Sequence, residues 1–318
     1  EKTGKNDNGK KNKGGKRNKI VAIEMIILVL LIMAAVAIFI QRDKSVKEAA
    51  KIHNQKAKKT EQTSQAAQKE NEIEEETEGT EEETDDRDAS VPDRSNFAVQ
   101  PGVSVGTTEQ SDEKIVYLTL DDGPSDNTQA VLDILDKYNA KATFFVTGEM
   151  PEYKDMIKAA YDKGHTIGMH TYSHDYAKVY ASVDAYFQDL DQIGQMVQEE
   201  IGYVPCFIRF PGGSSNTVSK KYTAGIMSTL VQEVQNRGYQ YYDWNGSSGD
   251  GSVRTTEELV AQATSFDSNN IILLCHDSHG KQTTVEALPQ IIEHYQSLGY
   301  TFKALDRDSF VAHHGVNN

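Results

Sequence analysis

The chain is poor in cysteine, which limits both its covalent cross-links and its metal chemistry. Only Cys206 and Cys275 occur among 318 residues, so a disulfide-dense secreted scaffold and a zinc site built from cysteines are both excluded. Each cysteine lies in an apolar stretch typical of a strand, "CFIRF" or "ILLCH". We therefore expect two buried free thiols, and a single disulfide is the alternative that the sequence leaves open.

Positive charge is also scarce. The chain has 33 Lys and Arg against 48 Asp and Glu, which gives a net charge of -15. Nucleic acid needs a basic surface, so it is excluded as a partner. The charge is uneven, because residues 1–19 are rich in lysine whereas residues 70–88 are almost uniformly acidic. No Gly-rich nucleotide fingerprint follows the first strand-like run, so a nucleotide is not expected either.

One long apolar run interrupts this polar composition. Residues 20–40 carry a single charge, Glu24, and as a helix they would reach roughly 30 Å, the thickness of a bilayer's hydrocarbon core. We interpret the run as a transmembrane helix. Because positive charge stays on the cytoplasmic side, tail 1–19 lies in the cytoplasm and everything after Arg42 lies outside. A cleaved signal peptide is the alternative, since "AVA" at 35–37 resembles a cleavage site.

Residues 41–98 predict an acidic, disordered stalk. They are rich in Lys, Gln, Glu and Thr and have almost no aromatic residues. Such a composition cannot bury enough apolar surface to offset the entropy of an ordered chain. We expect this stalk to separate the membrane helix from a folded domain over residues 99–318.

The rest of the chain predicts one α/β domain. Apolar runs of β-type residues alternate with stretches that carry apolar residues at i, i+3 and i+4. The predicted strands are 115–120, 142–148, 165–170, 206–210, 239–244, 271–276 and 300–305. Strands joined by helices imply a parallel sheet with right-handed crossovers. We predict a closed or nearly closed barrel of about seven parallel strands rather than an open doubly wound sheet.

Polar side chains gather where the predicted strands end. In such barrels catalytic groups lie at the carboxyl ends of the strands, where the loops meet on one face. Asp121 and Asp122 follow the first strand, His170 and His174 the third, Arg209 the fourth, Asp243 the fifth, and His276 with Asp277 the sixth. We expect these side chains to share one site.

Two of these residues, His170 and His174, predict a metal centre. In "HTYSH" the histidines are four apart, so one helical turn would aim both imidazoles the same way. A carboxylate from a neighbouring strand end would complete three protein ligands. Two histidines and a carboxylate with an open position usually hold a catalytic zinc, although cobalt, manganese or nickel would also be accepted.

The adjacent carboxylates in "TLDDGPS" extend this hypothesis. A cation would offset the repulsion between Asp121 and Asp122. The carboxylate that does not bind the cation could then take a proton from water, whose pKa a metal lowers to about 7. The structural alternative is an Asx turn that caps the following helix.

Five stretches together resemble the motifs of the polysaccharide deacetylases, the NodB-like carbohydrate esterase family 4. They are "TLDDGPS", "GHTIGMHTYSH", "RFPGG", "YDW" and "ILLCHD", in the family's order and spacing, and the resemblance covers roughly residues 113–308. It implies a distorted (β/α) barrel that uses a divalent metal. The implied reaction removes acetyl groups from N-acetylated sugars, or O-acetyl groups from xylan.

The resemblance also implies a role for each matching residue on the metal side of the site. Asp121 would be the general base, and Asp122 would bind the metal together with His170 and His174. Arg209 would hold the Asp121 carboxylate in place and keep it ionised, as an adjacent guanidinium should.

On the other side of the site, the resemblance makes His276 the general acid, with Asp243 raising its pKa so that the imidazolium persists near neutral pH. The metal and a backbone N–H would stabilise the oxyanion. Trp244 and Leu274 would line the pocket for the acetyl methyl. The third motif departs from the family's Arg-x-Pro-Tyr, because Gly212 stands in place of the tyrosine. Gly212 can still donate its N–H but offers no cleft wall.

These inferences predict a membrane-tethered, metal-dependent deacetylase with an extracellular catalytic domain. The predicted substrate is the N-acetylglucosamine of peptidoglycan, because an exported domain on a stalk meets the cell wall first. A chitooligosaccharide or xylan deacetylase is the alternative enzyme, and a non-catalytic cell-wall-binding protein is the alternative of another class. A phosphoesterase is disfavoured because no basic or glycine-rich phosphate cradle lies near the motifs.

Overall fold

The computed structural model describes residues 94–318. Three predicted segments lie outside the described residues: the cytoplasmic tail 1–19, the transmembrane helix 20–40 and the stalk up to residue 93. Among the helices of residues 94–318, none combines the length and the apolar composition that a membrane crossing requires.

Residues 94–98, which the sequence places at the end of the stalk, pack against the domain. The Phe97 ring meets the Phe207 ring edge to face, with the centroids 5.2 Å apart. The Arg94 side chain is buried and donates hydrogen bonds to two backbone carbonyls of the domain. The packed structure therefore begins before residue 99.

A single sheet of parallel strands forms the centre of the domain. The strands are β1 (Ile115–Asp121), β2 (Ala142–Thr147), β3 (Thr166–Thr171), β4 (Phe207–Ile208), β5 (Gln240–Tyr241), β6 (Gly246–Ser247), β7 (Asn270–His276) and β8 (Thr301–Phe302). Their order is β5-β4-β3-β2-β1-β7-β6, and β8 pairs with the beginning of β1. Each predicted strand has a counterpart, and β6 is the strand that the sequence did not predict.

Helices connect most of the strands, as a parallel sheet requires. They are α1 (Thr128–Lys137), α2 (Asp155–Asp162), α3 (Tyr176–Val179), α4 (Val183–Ile201), α5 (Ile226–Asn236), α6 (Thr256–Ala263) and α7 (Gln282–Ser297). Local sequence sets several of their ends. The Ser182 side chain caps α4, and Gly202 ends that helix in the left-handed conformation that glycine tolerates.

The sheet curls because its two edge strands are close in sequence. β5 and β6 lie at opposite ends of the strand order, yet only residues 242–245 separate them, a link that spans on the order of 20 Å at most. The C-terminal segment runs along this link, where the Asp243 N–H donates to the Ala312 carbonyl at 3.0 Å. The result fits the predicted distorted barrel.

The pleat of β1 separates the helix side of the sheet from the barrel interior. All seven residues of β1 are buried, as expected for a parallel strand covered on both faces. Val116, Leu118 and Leu120 belong to the core cluster shared with the helices, whereas Tyr117 belongs to the interior cluster. Because side chains alternate along a strand, Asp121 points to the same interior side as Tyr117.

We predict that Phe97→Ala lowers the free energy of unfolding by about 3–5 kcal/mol, because it removes a buried aromatic ring from the interior cluster. Denaturant unfolding of the variant and wild type would measure the difference. Val103→Ala is the matched control, since Val103 is 45% exposed and its loss should change stability by less than about 0.5 kcal/mol. Equal stability of Phe97→Ala and wild type would contradict the packing role of residues 94–98.

Candidate active site

Strand pairing brings the predicted site residues together at one edge of the sheet. β1 and β7 are in register along their full length, so their last residues, Asp121 and His276, are Cα partners. His170 lies one residue before the end of β3, and Arg209 directly follows β4. Polar side chains that are far apart in sequence therefore meet at the carboxyl edge of the sheet, as barrel geometry predicts.

Asp122, His170 and His174 form a cluster of three candidate metal ligands. One ligand atom from each residue lies within 4.8 Å of the others. Asp122 Oδ1 is 3.4 Å from His170 Nε2 and 3.3 Å from His174 Nε2. This oxygen is buried and has no hydrogen-bond partner among the described residues.

The hydrogen bond of His170 indicates that this cluster fits a cation. Its Nδ1 lies 2.7 Å from the Arg209 carbonyl oxygen, and because a carbonyl only accepts, Nδ1 carries the proton. Burial lowers the pKa of His170 to about 3, so the ring is neutral and Nε2 presents a lone pair to Asp122 Oδ1. Two acceptors that face each other repel, and a bound cation removes that repulsion. A carbonyl that fixes the outer nitrogen is typical of metal-binding histidines.

Backbone strain positions two of the three candidate ligands. Asp122 has a φ of 67° and His174 a φ of 46°, in the left-handed region that non-glycine residues rarely adopt and that clusters at functional sites. At Asp122 the conformation interrupts the extended course of β1. At His174 it corrects the expected helical turn across "HTYSH", because His170 belongs to β3 and the next helix begins at Tyr176.

Arg209 lies fully buried inside the barrel and uses its guanidinium to join several strand ends. Nη1 donates to Asp121 Oδ1 at 2.7 Å and to Thr119 Oγ1 at 2.8 Å. Nε donates to the Tyr242 carbonyl at 2.8 Å, and Nη2 to the Asp243 carbonyl at 3.1 Å. The structure thus contains the predicted contact between Arg209 and Asp121.

Asp121 has one oxygen anchored and the other directed at the ligand cluster. Arg209 holds Oδ1, so Oδ2, which lies 3.9 Å from His170 Nε2, is the oxygen that remains available. Burial raises the pKa of Asp121, and the Arg209 guanidinium opposes that rise. A carboxylate held in this way can accept a proton at a defined atom.

The carboxylate that binds His276 is Asp250, which corrects the predicted pairing with Asp243. Asp250 accepts hydrogen bonds from the backbone N–H and from Nδ1 of His276, both at 2.8 Å. Burial disfavours the imidazolium, but the hydrogen bond and charge of Asp250 outweigh it and raise the pKa of His276 to about 9. Thr284 Oγ1 donates to Asp250 Oδ2 at 2.8 Å. His276 Nε2 is left facing Asp122 Oδ2, 3.9 Å away.

The Asp243 carboxylate accepts hydrogen bonds from other groups and therefore does not bind His276. It accepts from the Ser214 N–H at 2.8 Å, from the Ser214 hydroxyl at 2.5 Å and from the His314 backbone N–H at 2.8 Å. These bonds tie the loop after Pro211 and the C-terminal segment to the end of β5. Asp243 therefore positions a loop of the site rather than its histidine.

Two glycines shape this loop for close contact. Gly212 and Gly213 have φ values of 76° and 77°. A Cβ on Gly213 would lie 3.0 Å from both Asp243 Oδ1 and the Trp244 ring, so a side chain there would separate the loop from these partners. Gly212 is exposed, and its N–H has no backbone acceptor among residues 94–318, which suits the predicted role of hydrogen-bond donor.

Of the two residues predicted to line an acetyl pocket, Trp244 lies near Arg209, and Leu274 pairs with a strand residue that Arg209 contacts. The Trp244 ring is 5.7 Å from Arg209 Cζ and packs edge to face against His314. Leu274 is the register partner of Thr119, whose hydroxyl accepts a hydrogen bond from Arg209. Their contact with an acetyl group stays a prediction.

Asp250 is the functional residue that sequence reasoning missed. It lies in "SSGDGS", three residues after the end of β6, a strand of only two residues, Gly246–Ser247. Because the sequence did not predict that strand, Asp250 did not stand out as a strand-end carboxylate. An acidic residue between two glycines was the available signal.

A curled parallel sheet carries at its carboxyl edge a His₂–Asp cluster that could hold a metal, an anchored carboxylate and a His–Asp pair, which are groups that a hydrolase can use for acid–base chemistry. The family model described as "Polysaccharide deacetylase" matches residues 108–231. YheN of Bacillus subtilis, named a putative polysaccharide deacetylase, is 30% identical over 217 residues, 65% of this chain and 72% of that protein. This chain belongs to the polysaccharide deacetylase family and is a deacetylase.

Two further relatives match a similar share of this chain. A Bacillus cereus protein named peptidoglycan-N-acetylglucosamine deacetylase is 29% identical over 226 residues, 66% of this chain and 78% of that protein. The crystal structure of the catalytic domain of peptidoglycan N-acetylglucosamine deacetylase from Eubacterium rectale matches with 47% identity and a TM-score of 0.64. That match covers 66% of this chain and 97% of the other.

We predict that His174→Ala lowers the affinity for zinc by more than about 100-fold, because partners of metal ligands alone contribute about 10- to 100-fold. Zinc titration of the chelator-treated full chain would measure this change. His279→Ala is the matched control, since His279 is exposed and pairs with Asp126 outside the cluster. Equal zinc affinity of His174→Ala and wild type would contradict the proposed ligand set.

We predict that Asp250→Asn shifts the alkaline limb of the pH–rate profile to lower pH. A general acid must be protonated, so wild-type activity should fall as the pH rises through the raised pKa of His276, about 9. Removing the Asp250 charge lowers that pKa and brings the fall closer to neutrality. Asp126→Asn, which affects the exposed His279 pair, should leave the profile unchanged. An unshifted limb in Asp250→Asn would contradict the assignment of His276 as acid.

Proposed function

We propose that this protein is a metal-dependent enzyme that hydrolyses the N-acetyl group of N-acetylglucosamine in peptidoglycan. The observation that carries the proposal is the convergence of Asp122, His170 and His174 on one point, with Asp121 and His276 beside them. The names of the Bacillus cereus and Eubacterium rectale relatives, both peptidoglycan N-acetylglucosamine deacetylases, support this choice of substrate.

Asp122, His170 and His174 would hold the cation. We propose zinc, because two imidazoles and one carboxylate with an open position are its usual catalytic ligands. When bound, the cation supplies Lewis-acid chemistry, polarising the acetyl carbonyl and making water easier to deprotonate. The buried, unpartnered Asp122 Oδ1 between two imidazole nitrogens is the feature that supports this assignment.

Asp121 would act as the general base. Its free Oδ2 takes a proton from water as the water oxygen bonds to the acetyl carbon. Arg209 keeps Oδ1 in a fixed place, so the basic oxygen keeps its orientation while the proton moves. The Gly212 N–H would donate to the oxygen that becomes negatively charged in the tetrahedral intermediate.

His276 would act as the general acid. Its Nε2 gives a proton to the sugar nitrogen as the carbon–nitrogen bond breaks, which leaves acetate and a free amine on the glycan. Asp250 holds Nδ1 and the backbone N–H of the same residue. This carboxylate therefore both orients the ring and stabilises its protonated form.

We further propose that the enzyme acts on the outer face of a membrane. Residues 20–40 would anchor it, and residues 41–93 would carry the catalytic domain away from the bilayer. The lysine-rich residues 1–19 support an orientation with the N-terminus in the cytoplasm.

The full chain should release acetate from N-acetylated peptidoglycan strands, lose this activity with EDTA and regain it with zinc. Asp121→Asn should lower the rate by about 10²- to 10⁴-fold, the usual contribution of a general base. Enzymatic measurement of acetate and mass spectrometry of the glycans would follow the reaction. His279→Ala, which changes an exposed histidine, should keep wild-type activity.

Parallel substrates separate this proposal from its alternatives. If acetate is released faster from chitooligosaccharides or from O-acetylated xylan than from peptidoglycan, that glycan and not peptidoglycan is the preferred substrate. Full activity in EDTA would contradict the metal-dependent mechanism. Glycan binding without acetate release, with zinc present, would favour a non-catalytic wall-binding protein.

A further inference from the structure

Tyr176 lies directly against Gly212, beside the candidate ligand cluster. An ideal Cβ built on Gly212 would lie 2.7 Å from Tyr176 Oη, closer than real Cβ atoms approach their neighbours. The hydroxyl therefore borders the space that a side chain at position 212 would need. Because Gly212 has none, the hydroxyl can lie beside its backbone.

Packing fixes the Tyr176 ring. On one side it meets the His174 ring edge to face, with centroids 5.8 Å apart and planes at 87°, and on the other it meets Tyr180 at 5.5 Å. Tyr180 is itself immobilised, since it is fully buried and donates a hydrogen bond to the Pro211 carbonyl at 2.8 Å. The half-buried Tyr176 is thus held between a candidate metal ligand and the loop that carries Gly212.

Two hydrogen-bond donors without acceptors meet at this point. Within residues 94–318, the Tyr176 hydroxyl has no hydrogen-bond partner and the Gly212 N–H has no backbone acceptor. Oη is 2.7 Å from the Cβ position, and Cβ and N of one residue are about 2.5 Å apart, so the donors lie no more than about 5 Å from each other. Donors that share one acceptor can be about 5.8 Å apart.

We propose that Tyr176 is a further catalytic residue whose hydroxyl donates, together with the Gly212 N–H, to the acetyl carbonyl oxygen of the substrate. This role rests on the proposed deacetylation. The hydrogen bond strengthens as that oxygen becomes negatively charged, so it stabilises the transition state more than the bound substrate. A tyrosine that served only to pack against His174 would need its ring and not its hydroxyl.

Tyr176→Phe tests the hydroxyl alone, because the ring and its contacts with His174 and Tyr180 remain. We expect kcat for acetate release to fall by about 10- to 100-fold, the effect of losing one hydrogen bond to a charged group, with KM unchanged. Zinc affinity should equal that of wild type. A kcat equal to that of wild type, whether or not KM changes, would overturn the proposal.

Tyr172→Phe is the matched control. Tyr172 lies four residues before Tyr176, between β3 and α3, but its ring lies against Gly148 rather than Gly212. Removal of its hydroxyl should leave kcat and KM at wild-type values. An equal loss of kcat in both variants would show a general effect on this part of the chain and would also overturn the proposal.

Acetate binding separates this proposal from the proposed function. Bound acetate would place a charged carboxylate oxygen where the substrate's carbonyl oxygen would lie. Its affinity for the zinc-loaded full chain can be measured by calorimetric titration, which requires no catalytic turnover. Tyr176→Phe should weaken acetate binding by about 10-fold. If no glycan releases acetate, the proposed function fails and this comparison still decides about Tyr176. Equal affinities, or a wild-type chain that does not bind acetate, would overturn its role.

Discussion

The site depends on the buried ion pair between Arg209 and Asp121. The guanidinium has no access to solvent, and removing one partner of such a pair costs about 3–5 kcal/mol because the other charge stays buried and unpaired. Arg209 also reaches beyond Asp121. Its backbone carbonyl accepts from His170 Nδ1, so a single residue orients the candidate base with its side chain and a candidate metal ligand with its main chain.

Two adjacent aspartates serve different purposes because the backbone separates them. Asp121 is the last residue of β1 and follows the pleat into the barrel, where it meets Arg209. Asp122 leaves the strand in a left-handed conformation and faces two imidazoles. The strain at Asp122 is the cost of placing neighbouring carboxylates in different environments, one held by a guanidinium and the other suited to a cation.

On the general-acid side of the site, two carboxylates, Asp250 and Asp243, likewise have different partners. Asp250 fixes His276 through both its ring and its backbone. Asp243 instead joins the loop of Gly212 and Gly213 to the C-terminal segment. At this edge of the barrel, Asp250 therefore stabilises the charge of His276, whereas Asp243 fixes the position of the loop that carries Gly212. That position keeps the loop next to Tyr176.

The sequence by itself determined seven of the eight described strands, their parallel direction in a barrel and the gathering of six polar residues at one edge, namely Asp121, Asp122, His170, His174, Arg209 and His276. Buried β-branched runs and strand-end polar residues are local features, and barrel geometry brings strand ends together whatever the loops do. Only the tertiary structure decided that Asp250 rather than Asp243 binds His276, and that Tyr176 borders Gly212. The partner of a carboxylate depends on which hydrogen-bond donors the fold brings next to it. The spacing of residues along the sequence does not show which donors those are.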